Sequence, residues 1–195
     1  NIGKGDQLLD IGIDKAEPKF SLEIKNLMNI YYDLINNSRV LEGVPITVSL
    51  IEKNILAFIS NEKKDIKKYM ENVILQLVAL QNYRNLKLAF FVKNEREWDF
   101  VKLLPHVWND SKTMRFFASS RNDMKELSQY LEDIINERNS EDDTRITISS
   151  RQKNYKDFDS YYIIITDNYK YIHNIGVINK ILNGSNNIGF SLICT

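Results

Sequence analysis

Cysteine is almost missing: Cys194, next to the C-terminal end, is the single one, so no internal disulfide framework can hold the fold. That usage suits a reducing, cytosolic compartment. No apolar run approaches the length of a membrane-crossing helix, and the first residues lack the basic-then-apolar order of a signal peptide. Any membrane anchor is therefore expected outside these residues, and a chain that opens at Asn1 without Met reads as a fragment of a longer one. Excess charge of either sign is also missing, because 26 Lys+Arg balance 26 Asp+Glu. A neutral chain has no basic field to steer it onto phosphate backbones or anionic lipid, which disfavours nonspecific DNA binding. The two histidines, His106 and His173, have no partner at metal-ligand spacing, which disfavours a zinc site, and a structural role is expected. No nucleophile elbow of the G-x-S-x-G kind is present. Cys194, inside an apolar run, reads as a small hydrophobe with nothing nearby to lower its pKa.

What is present is a pattern of short apolar runs alternating with longer helical stretches, in a chain whose 195 residues and 43% hydrophobic content suffice for one buried domain. Strands are predicted at Ile46–Leu50, Ile55–Ile59, Leu86–Val92, Met114–Ala118, Tyr161–Thr166 and Phe190–Cys194. Several are continuous Ile/Val/Leu/Phe runs, as expected of strands covered on both faces. Ile66, Tyr69, Met70, Val73, Ile74, Leu77 and Val78 recur every three or four residues and predict one amphipathic helix. A second is predicted over Asn122–Arg138, with Ser120 and Asp123 in capping-box spacing ahead of it. Asn139–Asp157, polar apart from Ile146–Ile148, predicts an exposed loop. The fold class is thus α/β with a mostly parallel sheet flanked by helices. Residues 1–43 read as a leading segment packed on the core, with a strand at Leu8–Ile13, a break at Pro18 and an amphipathic helix over Ser21–Ile35; residues 44–195 read as the domain proper.

A strand running straight into a helix is where backbone N–H groups could cradle phosphates. Here that junction reads Ile59-Ser60-Asn61-Glu62-Lys63-Lys64-Asp65-Ile66, without the glycines a Walker A loop needs for close approach. Glu62 and Asp65 would repel phosphate, and Lys63 and Lys64 are expected to be solvated charge. Thr166 is followed by Asp167-Asn168, where a Walker B strand would place a magnesium-binding Asp and a Glu. Asn168 cannot replace that Glu, because an amide accepts no proton near neutral pH. Asp167 is expected to act mainly in the turn that follows the strand. Trp98 is explained by packing in an amphipathic stretch over Glu95–Leu104, whereas Trp108, after Pro105 in an expected loop, is the one aromatic that suggests an exposed interface.

The stretch Phe100-Val101-Lys102-Leu103-Leu104-Pro105-His106-Val107-Trp108, continued by Met114-Arg115-Phe116-Phe117-Ala118, resembles a segment of the EssC and EccC motor proteins of type VII secretion, relatives of FtsK and SpoIIIE. Gly43–Leu50, Ile74–Leu80 and Asn187–Thr195 extend the likeness over nearly the whole chain. The resemblance is to the ATPase-like domain nearest the membrane. It implies a RecA-like core, a neighbouring transmembrane stalk in the parent, a place on the cytoplasmic face of the bacterial membrane, and contacts with downstream ATPase modules and other secretion components; it allows a homo-hexamer of the full protein. The degenerate Walker A position falls on Ser60, Asp65 and Ile66, and the degenerate Walker B position on Asp167 and Asn168. No catalytic residue, cofactor or metal is expected, and no nucleic acid. The competing expectation is a weak nucleotide site using Lys63 or Lys64 with Asp167 and magnesium.

Overall fold

The computed structural model describes residues 2–8, 29–34, 40–145, 159–184 and 188–195. They divide into two compact units, residues 1–48 and 49–195. This boundary falls later than the expected one at 43/44, because a strand runs across that point.

In the first unit, β1 (Gly3–Leu8) pairs antiparallel with β2 (Val40–Ile46). The register shifts between Gly5 and Gln7, and the intervening Asp6 turns its carboxylate to accept the Gly43 N–H at 3.0 Å. Gly43 sits at φ 62°, a left-handed conformation that glycine adopts without Cβ strain. The strand predicted at Ile46–Leu50 therefore lies upstream instead: Ile46 pairs with Gly3, and beyond it Thr47–Ser49 carries no ladder. Residues 29–34 are helical, within the helix predicted for Ser21–Ile35; the rest of that helix, and the strand expected at Leu8–Ile13 beyond Leu8, lie outside the described residues.

The second unit is built on β3 (Ile55–Ala57), α1 (Lys63–Leu80), β4 (Leu86–Phe91), β5 (Phe117–Ala118), α2 (Arg121–Arg145), β6 (Tyr161–Thr166), α3 (Tyr169–Ile172), α4 (Gly176–Asn183) and β7 (Phe190–Cys194). All five of its strands are parallel, in the order β3-β7-β6-β4-β5. Alternate residues of the strands feed two cores. Ala89, Phe91, Ile164 and Leu192 face Leu127, Leu131 and Ile135 of α2 with Val177 and Ile178 of α4. Leu88, Phe90, Ile163 and Ile193 face Met70 and Ile74 of α1 with Trp98 and Val101. Covered on both faces, β4, β6 and β7 are buried almost throughout, which is why they are continuous apolar runs in the sequence.

The connection from β4 to β5 is a 3-10 helix, Glu95–Leu103, followed by a short one at Pro105–Val107. Trp98 breaks the first (φ −119°, ψ 15°), turning its ring into the core. Ahead of α2 the predicted capping box forms in both directions: Asp123 N–H donates to Ser120 Oγ (3.2 Å) and Ser120 N–H to Asp123 Oδ2 (3.3 Å). This helix continues to Arg145, through part of the segment expected to be a loop. The apolar stripe that marked it stops at Ile135, where the sheet beneath it ends, while the helical backbone runs on; residues 146–158, with Ile146–Ile148, lie outside the described residues.

Candidate functional site

The order of the strands fixes where a site can form. From β3 the chain moves across the sheet to β4 and β5 with α1 and the 3-10 helices on one face; from β5 it returns to β6 and β7 with α2 and α4 on the other. Connections leaving neighbouring strands β4 and β6 thus depart to opposite faces, and a crevice opens outside their carboxyl ends. A cleft of about 790 Å³ lies at this edge, between the ends of β3, β4, β6 and β7 and the first turns of α1. Phe58 and Ile66 give it apolar walls, with the buried Met70 and Trp98 behind them, and Lys67, Lys93 and Lys170 stand among its polar lining.

Both expected positions reach this cleft. Ser60, Ile66, Asp167 and Asn168 all line it, so the fold brings together residues more than a hundred positions apart. Asp65 is exposed on the first turn of α1 and is not part of the lining. Ser60 serves its own turn, its Oγ accepting the Glu62 N–H at 3.1 Å. Glu62, at the N-cap of α1, makes no side-chain cap bond. Lys63 begins α1, its side chain lying outside the described residues; Lys64 is exposed beside it, and Lys67, one turn further on, lines the cleft.

Asp167 is the most constrained member. Its Oδ2 accepts the indole N–H of Trp98 at 3.0 Å and its Oδ1 accepts the Lys93 N–H at 3.2 Å. Its carbonyl oxygen accepts the Thr195 hydroxyl at 2.8 Å, and Thr195 O in turn accepts the Tyr169 N–H at 3.2 Å. The carboxylate therefore bolts the connection after β4 to the end of β6, and the main chain bolts β6 to β7. Each carboxylate oxygen thus spends part of its acceptor capacity on an N–H donor. The role of Asp167 is wider than the turn expected for it, since it joins three strand ends. Asn168 starts α3 in extended conformation, with its N–H on Thr166 Oγ1 (3.2 Å) and no side-chain cap bond.

The sequence reading missed Trp98 as a site residue. A buried Trp must find an acceptor for its N–H, but Asp167 is 69 positions away, so periodicity could report the burial and not the partner. The opposite correction applies to Trp108. Instead of standing exposed in a loop, it is half-buried against the core, bridged to Arg115, with the Arg115 guanidinium 4.5 Å from its ring centre and its carbonyl oxygen accepting Lys87 Nζ at 3.2 Å.

Cys194 also lines the cleft, and burial pushes its thiol pKa up, away from thiolate chemistry. His106 is buried with Nε2 on Gln81 O at 2.9 Å, which requires the proton on Nε2; Nδ1 has no partner among the described residues. His173 holds Lys170 O at 2.8 Å. Among the described residues no group of three His, Cys, Asp or Glu is placed to hold a metal ion, and no helix is long and apolar enough to cross a membrane. No family model matches the chain, and no curated protein matches it in sequence.

Proposed function

We propose that this chain is a non-hydrolysing, ATPase-like domain of an EssC/EccC-type motor, RecA-like in fold. In this reading it links the membrane stalk to the downstream ATPase modules at the cytoplasmic face of the bacterial membrane, and supports assembly or regulation of type VII protein export. The motif likeness around Leu104-Pro105-His106-Val107-Trp108 supports the family. The doubly covered parallel sheet, with its cleft at the carboxyl edge, suits the fold.

One observation carries the loss of hydrolysis. Phosphoryl transfer to water needs a metal held near the γ-phosphate and a group that orients the attacking water. Among the described residues at the end of β6 the one carboxylate, Asp167, already accepts Trp98 Nε1–H and Lys93 N–H, and its neighbour Asn168 has no basic form to activate water. The glycine-free Ser60–Asp65 turn removes the phosphate cradle as well.

The test has two arms. With magnesium and ATP, the purified domain should release phosphate no faster than a protein-free control; turnover abolished by Asp167→Ala would overturn the non-hydrolysing assignment. In the parent motor, deleting residues 49–195 should stop export while the remaining modules still hydrolyse ATP. Unimpaired export would refute the linking role.

A further inference from the structure

The cleft at the carboxyl edge has the dimensions of a ligand site: its volume of about 790 Å³ falls within the roughly 300–1,000 Å³ typical of small-molecule pockets. Its charges are unequally employed. Of its two lining carboxylates, Asp167 accepts two N–H donors and Glu97 accepts Asn94 Nδ2 at 2.6 Å. Of its three lysines, Lys93 and Lys170 have ammonium groups with no partner among the described residues. Lys67 has a single 3.9 Å pairing to Glu71, an exposed i,i+4 pair of the kind that contributes little. Free positive charge beside an apolar wall favours an anion with a flat hydrophobic body, because the low-dielectric wall focuses the field of the lysines.

The same lining disfavours the usual way of neutralising such a ligand. A divalent cation would meet the charge of Lys67, Lys93 and Lys170, and each oxygen of the Asp167 carboxylate already accepts one N–H, from Trp98 Nε1 and from Lys93 N. We propose that this cleft binds a small organic polyanion directly through Lys93, Lys170 and Lys67, with its apolar body against Phe58 and Ile66, and without a divalent metal. The inference rests on the reading of the cleft as a decayed nucleotide site and assigns that site a metal-independent mode of recognition.

Trp98 supplies the readout. In a Trp108→Phe background, its fluorescence is followed while ATP is added in excess EDTA and, separately, in excess magnesium, with inorganic pyrophosphate as a ligand lacking the apolar body. The expected result is a saturable change with ATP in EDTA, no tighter with magnesium, and at least about tenfold weaker with pyrophosphate. Lys93→Ala combined with Lys170→Ala, both exposed side chains, should weaken ATP about tenfold or more without shifting the melting temperature. No binding at millimolar ATP overturns this inference and leaves the non-hydrolysing reading standing. Binding that appears only with magnesium and vanishes in Asp167→Asn overturns the metal-independent mode; phosphate release in the same samples, abolished by Asp167→Ala, would overturn the non-hydrolysing reading as well.

Discussion

The two ends of the five-stranded sheet use polar side chains in opposite ways. At the amino end, Arg138 reaches from α2 to donate to Ile188 O (2.8 Å), Gly189 O (3.3 Å) and Ser160 O (2.7 Å), with its guanidinium 5.3 Å from the Tyr162 ring centre and 5.2 Å from that of Phe190. Ser160 Oγ donates to Arg84 O at 2.8 Å, while Tyr161 OH and Ser191 Oγ share Leu50 O. Each of these side chains donates to main-chain carbonyl oxygens at or beside the strand ends. At the carboxyl end, Asp167 holds strand ends together in the same way, but Lys93 and Lys170 have no partner for their ammonium groups among the described residues. Satisfied polar groups at one end set the register of the strands; unsatisfied cations at the other are what an outside molecule could find.

The sharpest way to break this comparison is Arg138→Met, which keeps an apolar stem but abandons three carbonyl acceptors and two ring faces. It should cost about 3 kcal/mol, lowering the melting temperature by roughly 6–12 °C in a domain of this size, while ligand-induced Trp98 fluorescence keeps its midpoint at temperatures where the protein is folded. If calorimetry finds a shift of only a degree or two, the amino-end network is not the clamp described. Asp167→Ala comes next, at about 2 kcal/mol, because it leaves the Trp98 indole N–H and the Lys93 N–H unpaired. Asp167→Asn should cost about half as much, since its amide oxygen can still accept one of the two donors. Equal losses for the two variants would mean that the charge of Asp167, and not its hydrogen bonds, holds the β4 and β6 ends together.

The strands at the centre of the sheet were legible from composition alone. Tyr161–Thr166 and Phe190–Cys194 are flanked on both faces by helices, and double coverage writes itself into the sequence as an unbroken apolar run. The Ser120–Asp123 cap was legible because its two halves are three residues apart. Ile46–Leu50 misled because its alternating pattern matches a strand, although what ends β2 is where its antiparallel partner β1 begins, which is a property of another segment. Half of the site was legible in the same sense. Asp167, Asn168 and Ser60 were found from the junctions they occupy; Trp98, Lys93, Lys67 and Lys170 were not, since only the strand order brings their elements to one edge. The exposure expected of Trp108 was misjudged for a related reason, because a proline-led loop gives no sign that Arg115 lies over its ring.

The smallest effect separates two junctions at the same end of the sheet. The turn into α2 is closed by the reciprocal Ser120–Asp123 pair, whereas the turn into α1 has Glu62 at its N-cap, in extended conformation (φ −111°, ψ 111°) and without a side-chain bond. Ser120→Ala should therefore destabilise the domain by about 1 kcal/mol. Glu62→Ser, which places a hydroxyl where the N2 or N3 amide of α1 can use it, should stabilise by about 0.5–1 kcal/mol. A negative side chain near a helix N-terminus is itself favourable, so this gain is what remains after that charge is lost. Thermal unfolding of the two variants beside the parent sequence checks both signs. If Glu62→Ser melts earlier, the carboxylate of Glu62 already does for α1 what the capping box does for α2, and the two junctions differ in geometry without differing in energy.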